Sequence, residues 1–236
     1  MKEYRIDLHI HTVLSPCADL LMTPGVIIER ALEQELDIIA ITDHNATGNL
    51  KVAMDLAVDR PLEIIPGMEL ETREEVHLLC LFPDLETALS WQSVVDQNLP
   101  DRENREDVFG PQLLTDAKDR FIGRENRLLS TASMLTLEEA VEGVYSTGGA
   151  VIPSHIERTN GLINNLGFIP PELERRLVFL EVNREEKETK LCENFPFLQE
   201  FILISGSDAH HPDQIGTGSR IKLRKGDQKG LIEKLR

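Results

Sequence analysis

The sequence is poor in cysteine, in aromatic side chains and in positive charge. Its three cysteines, Cys17, Cys80 and Cys192, are too few and too scattered for a disulfide framework. A reduced, cytoplasmic protein is the resulting expectation. Aromatic residues make up 5% of the chain, and no basic track interleaved with aromatics offers single-stranded nucleic acid a surface to stack on. Lys and Arg total 25 against 41 Asp and Glu, a formal charge of −16 over 236 residues. Coulomb repulsion then disfavours coating of long nucleic acid or docking on an anionic membrane. It leaves room for a small phosphorylated ligand, because a local cation reverses the field inside a site. No apolar run nears the roughly 18 to 20 residues that span a bilayer, and no apolar signal core follows Met1. No Gly-x-Gly-x-x-Gly follows the first apolar run, so a doubly wound dinucleotide-binding sheet lacks its best marker.

What is present is an alternation of short apolar runs with amphipathic stretches. Strands are expected at 4–10, 37–42, 62–69, 76–82, 150–153, 177–182 and 201–205. Thr23-Pro24 opens a helix as N-cap and first helical position. Ile28, Ala31, Leu32 and Leu36 continue it at a 3.6-residue period. Thr136 to Glu139 reads as a capping box, and Gly148-Gly149 ends that helix. Further helical segments are expected at 50–57, 84–98, 185–198 and 227–235. About five residues separate the third apolar run from the fourth, whereas a parallel crossover needs about a dozen. These two runs are therefore expected to form an antiparallel hairpin that sets His77 beside Glu69. Residues 99–131 break the pattern, with a charge run at 101–107 read as a solvated loop and a small surface hairpin at 112–122. This is an excursion from a single domain over 1–236. The class is α/β with a mostly parallel sheet. Seven strands fit a closed or nearly closed barrel, with an open doubly wound sheet as the alternative.

In a barrel of this kind the active site lies at the carboxyl ends of the strands. The seven histidines are His9, His11, His44, His77, His155, His210 and His211, and each falls at that rim or one residue beyond it. Histidines used for packing would also appear on helices and in the excursion, and none does. Imidazole and carboxylate together suit zinc, manganese or iron. Cysteine takes no obvious part, which argues against a structural thiolate zinc site. On a strand, residues two apart share a face, so His9 and His11 can reach one metal. Asp208-x-His210 repeats that spacing on the last strand. A carboxylate such as Glu69 can bridge two cations about 3.5 Å apart.

The runs Asp-Leu-His9-Ile-His11-Thr, Ile-Thr-Asp-His44-Asn, Pro-Gly-Met-Glu69, Val-His77-Leu-Leu, Pro-Ser-His155 and Gly-Ser-Asp208-Ala-His210 resemble the motifs of the PHP family, named for polymerase and histidinol phosphatase. They occur in the family's order over residues 7–210. The resemblance implies a distorted (β/α)7 barrel, TIM-barrel-like, that holds two or three divalent metal ions and hydrolyses phosphoesters. It implies a first metal on His9, His11, Glu69 and Asp208. A second would take bridging Glu69, His77 and His155, and a third Asp19, His44 and His210. Ser15-Pro16-Cys17-Ala18 lengthens the loop ahead of Asp19. Small-molecule phosphatases of the family often carry an arginine near the position of Arg158 that contacts phosphate, though here it stands in His-Ile-Glu-Arg rather than His-Pro-x-Arg. Arg124 and Arg127 are further candidates if the excursion folds over the site as a lid. Cys17 is read as a small, partly buried thiol, and Glu181 as either a partner orienting a ligand imidazole or a simple strand-end acid.

The reaction implied is attack on phosphorus by a hydroxide bridging the metals, with Glu69, Asp208 and His210 as the catalytic set. The expected substrate is a small phosphate monoester, such as a nucleotide or sugar phosphate. A nuclease acting on short oligonucleotides and a non-catalytic metal-binding or regulatory module are the alternatives. Neither a membrane nor long nucleic acid is expected as a partner.

Overall fold

The structure, a computed structural model, describes residues 1–182, 185–216, 218–223 and 230–236, without the side chains of 185–189. The expected start of a last helix at 227 lies outside the described residues.

Apolar runs become strands and amphipathic stretches become helices, in the order β1 (Lys2–Ile10), α1 (Pro24–Glu33), β2 (Ile38–Ile41), α2 (Leu50–Ala57), β3 (Glu63–Glu71), β4 (His77–Leu81) and α3 (Leu85–Asn98). The excursion follows as α4 (Glu106–Phe109), β5 (Leu113–Thr115) and β6 (Phe121–Arg124). Then come α5 (Leu137–Ser146), β7 (Ala150–Pro153), α6 (Leu162–Leu166), α7 (Pro171–Glu174), β8 (Phe179–Glu181), α8 (Glu185–Asn194), β9 (Ile202–Ile204), β10 (Arg220–Leu223) and α9 (Leu231–Leu235). Among the described residues no helix is long and apolar enough to cross a membrane.

Local signals explain several of these boundaries. Glu139 N–H donates to Thr136 Oγ1 at 3.1 Å while the Glu139 carboxylate accepts from Thr136 N–H at 2.9 Å, so α5 opens on a complete capping box. Asp84 caps α3 through Thr87 N–H at 2.8 Å. Thr23 precedes α1 but makes no side-chain cap; its hydroxyl is buried without a partner, and Pro24 alone marks the start. The charge run at 101–107, expected as a solvated loop, runs at its end into the single turn of α4.

The main sheet has the order β10-β1-β2-β3-β4-β7. β1, β2 and β3 are parallel; β3 pairs antiparallel with β4, and β4 antiparallel with β7. β8 and β9 form a separate parallel pair. The result is an α/β fold with a curled half-barrel sheet. A strict closed (β/α)7 ladder is not what the described residues form, because β7 and β8 are not paired as strands. The physical reason on the other side is competition for one edge of β1. Its first half, Lys2–Arg5, is taken by antiparallel β10, a strand that the periodicity did not announce. The end of β1 meets the loop that directly follows β9 through the Ile10–Ala209 bridge.

Strand parity sorts the interior. Tyr4, Ile6, Ile38, Ala40, Ile65, Leu79, Leu81, Ile152, Phe179 and Ile204 form an inner core inside the curl, closed below by Leu231, Ile232 and Leu235 of α9. Ile39, Ile41, Met68, Leu70, Leu78, Cys80 and Val151 face outward into a larger core shared with α1, α2, α3 and α5. Each such Leu or Ile contributes roughly 1.5–3 kcal/mol on full burial. The same parity carries on to the rim: Glu69 follows Ile65, His77 precedes Leu79, and Glu181 follows Phe179, each on the inner face. β1 needs a correction. Its register with β2 shifts between Asp7 and Ile10. This bulge moves Ile10 to the outer core although Leu8 lies in the inner one, and so turns His9 and His11 inward.

Candidate metal centre

The rim brings together His9 and His11 from β1, His44 from the loop after β2, Glu69 from β3, His77 from β4, His155 after β7, and Asp208 and His210 after β9. Three groups of them present ligand atoms within 4.8 Å of one another: His9, His11 and Asp208; His44, Glu69 and His77; and His11, His44 and His210. Glu69 is the hub. Its Oε1 lies 3.0 Å from His77 Nδ1, 3.2 Å from His155 Nε2 and 3.2 Å from His9 Nε2. Its Oε2 lies 2.9 Å from His44 Nδ1 and 3.4 Å from His11 Nε2, yet it is buried without a well-aligned hydrogen bond.

The hydrogen bonds at the far side of each ring fix the tautomers. His9 Nδ1 donates to Glu181 Oε2 at 2.8 Å. Ser15 Oγ spends its only proton on Asp43 Oδ1 at 2.7 Å, so His11 Nδ1 donates to Ser15 Oγ at 3.0 Å. Both rings therefore turn Nε2 toward the centre, the two nitrogens 3.1 Å apart. Asp208 Oδ1 stands 3.4 Å from each of these nitrogens. Two nitrogen lone pairs and two carboxylates converging on one point repel one another unless a proton or a cation lies between them. A divalent cation answers all of these donors at once, and the donor set suits zinc, manganese or iron.

The electrostatics follow the same logic. Burial pushes the His9 imidazole down, but the Glu181, Glu69 and Asp208 carboxylates outweigh it and hold its pKa well above the ordinary value. His44 is likewise raised against burial, chiefly by Glu69. His11 goes the other way: burial and the neighbouring His210 and His44 hold it well below the ordinary value, so it stays neutral. Burial would raise Glu69 and Asp208, yet the surrounding imidazoles keep both carboxyls well below the usual range.

The backbone at the rim is bent to aim these groups. His155 and Asp208 adopt left-handed φ values of 28° and 50°, conformations that cost a non-glycine residue about 1 kcal/mol or more. Asp7 holds the loop carrying Asp208 by accepting from Ser207 N–H at 2.9 Å and Gly216 N–H at 3.2 Å. A Cβ at Gly206 would overlap the Glu181 carboxylate, so only glycine lets this loop pass over β1 and β8.

The family model for the PHP domain matches residues 7–204 of this sequence. The chain belongs to the PHP domain family. Its relatives by sequence include the 5'-3' exoribonuclease Rnm of Escherichia coli, 23% identical over 87% of this chain and 85% of that one. Rnm of Salmonella typhimurium is 36% identical over 34% of this chain, and the match spans 28% of its own length. The 3',5'-nucleoside bisphosphate phosphatase of Chromobacterium violaceum is 35% identical over 32% of this chain and 27% of its own. These relatives are hydrolases acting on phosphoester bonds. The lesion-specific endonuclease EndoQ of Pyrococcus furiosus shares the fold, with a TM-score of 0.66 at 18% identity; the match covers all of this chain and 57% of that one. Three of these four proteins are nucleases, so the expectation that long nucleic acid is excluded finds no support among them.

Within this PHP domain the other candidates fall out unevenly. A cavity of about 590 Å³ opens over the centre and is lined by His44, Glu69, His77, His155, Asp208, His210 and Arg158, among others. Arg158 reaches it paired to Asp208 Oδ2 at 2.6 Å. Arg124 and Arg127 do not line it: they are held by Glu106 at 2.5 Å and Asp96 at 2.6 Å. Asp19 is exposed and its carboxylate accepts from Leu21 N–H at 2.8 Å, apart from the ligand groups. His211 caps a short 3-10 turn by accepting from Asp213 N–H at 3.3 Å. Glu181, left open between two roles by its position, is seen to orient His9. Asn160, which donates to His77 Nε2 at 3.1 Å, had no signal in the sequence because its contact depends on the turn after β7.

Proposed function

We propose that this chain is a metal-dependent phosphoesterase that hydrolyses a small phosphate monoester, such as a nucleotide or sugar phosphate, with residues 1–236 acting as one domain. The observation that carries the reading is the convergence of His9 Nε2, His11 Nε2, Glu69 and Asp208 on one point, under a cavity that Arg158 also faces. His9, His11, Glu69 and Asp208 would hold one cation and Glu69, His77 and His155 a second, with His44 and His210 at a third. Bound there, two or three divalent ions supply positive charge for the phosphoryl oxygens and a water acidic enough to attack near neutral pH.

The chain's own residues do the rest. Glu181 and Ser15 hold His9 and His11 in the tautomers that leave Nε2 free. Arg158 meets the substrate phosphate, where a guanidinium fork matches two phosphate oxygens. His210, 26% exposed at the side chain, stands at the open side of the centre, where the cation it helps to hold would face the leaving oxygen. Glu69 and Asp208, the other members of the catalytic set, hold the charge that fixes the centre.

A second reading is favoured by the similarity to Rnm over 87% of this chain: a nuclease that trims short oligonucleotides. One screen separates them. The purified protein is loaded in turn with manganese, iron and zinc and offered nucleotide and sugar monophosphates beside short oligonucleotides. Faster turnover of monoesters is expected. Cleavage of oligonucleotides alone, falling steeply with salt, would establish the second reading, and no turnover on any phosphoester would leave a metal-binding module.

A further inference from the structure

The third cluster contains a donor that the family motif does not assign. Cys17 Sγ lies 3.1 Å from His210 Nε2. His210 Nδ1 donates to the backbone oxygen of Asp208 at 2.8 Å, which turns its Nε2 lone pair toward the sulfur. His11, His44 and His210 bring their own nitrogens within 4.8 Å of one another beside it. The turn is built to present Cys17: Ala18 N–H donates to Ser15 O at 3.0 Å, and Asp19 N–H to His210 O at 2.8 Å. The same turn spends the Asp19 carboxylate on Leu21 N–H at the surface.

Resting on the metal-dependent reading above, we infer that Cys17, and not Asp19, is the anionic ligand of the third cation, together with His44 and His210. On ligation the S–H bond breaks, its proton leaves to solvent and a sulfur lone pair forms the metal–sulfur bond; nothing is oxidised or reduced. Tetrahedral zinc, with sulfur at about 2.3 Å and nitrogen at about 2.0 Å, sets those two ligand atoms about 3.5 Å apart. The 3.1 Å observed is close to that spacing. A thiolate selects zinc or iron over manganese, so this position differs in metal preference from the carboxylate–imidazole pair beside it.

The test is cobalt(II) loading of the full chain after chelation. It reads ions per chain by elemental analysis and the near-ultraviolet sulfur-to-cobalt charge-transfer band. The wild type is expected to show the band. Cys17→Ser loses both the band and one ion per chain, Cys17→Asp loses the band but recovers the ion, and Asp19→Asn keeps both. Bound cobalt without the band, a band that survives in Cys17→Ser, or loss of the ion in Asp19→Asn overturns the thiolate assignment and leaves the metal-dependent reading standing. A wild type that binds no ion overturns both. Should Cys17→Ser fail to fold, Cys17→Asp and zinc protection of wild-type Cys17 from iodoacetamide carry the same decision.

Discussion

Two buried polar networks meet at the carboxyl ends of β1 and β2, and they are finished to different degrees. In the first, Asp43 accepts from Thr12 N–H, Thr12 Oγ1 and Ser15 Oγ, each at 2.7 Å. Asn49 continues it, donating to Thr12 Oγ1 at 2.9 Å and to Leu113 O at 3.1 Å, and accepting from Thr115 N–H at 3.1 Å. Asn45 ties in the rest of the excursion through Leu129 O and Thr131 O. Donors and acceptors balance there. In the second, around Glu69, acceptors and nitrogen lone pairs outnumber protons, and Glu69 Oε2, Glu181 Oε1 and His155 Nδ1 have no hydrogen-bond partner. Ser15 joins the two, giving its proton to Asp43 and its lone pairs to His11 Nδ1 and His44 N–H. A balanced buried network is scaffold. A neighbouring one short of positive charge is where a cation belongs.

The comparison breaks most sharply at the ligands. His9→Ala and Asp208→Asn should each lower turnover by roughly a thousandfold or more while the chain stays folded by circular dichroism. Undiminished rates in both would remove the metal assignment. Asp43→Ala should do the reverse, costing about 3 kcal/mol in equilibrium denaturation because it strands three buried donors. A loss under about 1 kcal/mol would mean that the two networks are not different in kind.

Glu181→Gln lies between them, since it acts on His9 and not on the cation. Metal affinity should fall about 10–100-fold by titration. The pH dependence adds a sign. Protons compete with the cation for His9 and His44, whose pKa values are raised, so wild-type affinity should fall as pH falls. Against burial, Glu181 contributes most to the rise at His9, so its loss should flatten that dependence; an unchanged slope would deny it the role. Arg158→Ala is the mildest change. KM should rise about tenfold with kcat little altered, since a guanidinium that only binds phosphate stabilises substrate and transition state alike. Wild-type kinetics would take Arg158 out of the site.

The charge balance also reads differently against these two networks. Asp43 and Asp208 count equally in the formal charge of −16. Asp43 is hydrogen-bonded into scaffold, whereas Asp208 stands beside His9 and His11. The composition thus says little about which polyanions the rim accepts.

The sequence by itself determined the alternation of strands and helices and the identity of the rim. Both depend on short-range periodicity, and strand parity holds wherever the ladder is regular, as at Glu69, His77 and Glu181. It also marked the Thr-Asp-His-Asn run and His44 within it as a rim ligand, but not that Asp43 and Asn45 hold the scaffold. The tertiary structure alone decided that division, because it depends on which donors arrive from Thr12, Ser15 and the excursion. It alone decided the bulge that turns His9 inward, the capture of the edge of β1 by β10, and the turn that brings Cys17 to His210 while spending Asp19 elsewhere. Each of these is set by contacts between segments far apart in the chain, and local residue pattern carries no information about which distant partner will be in reach.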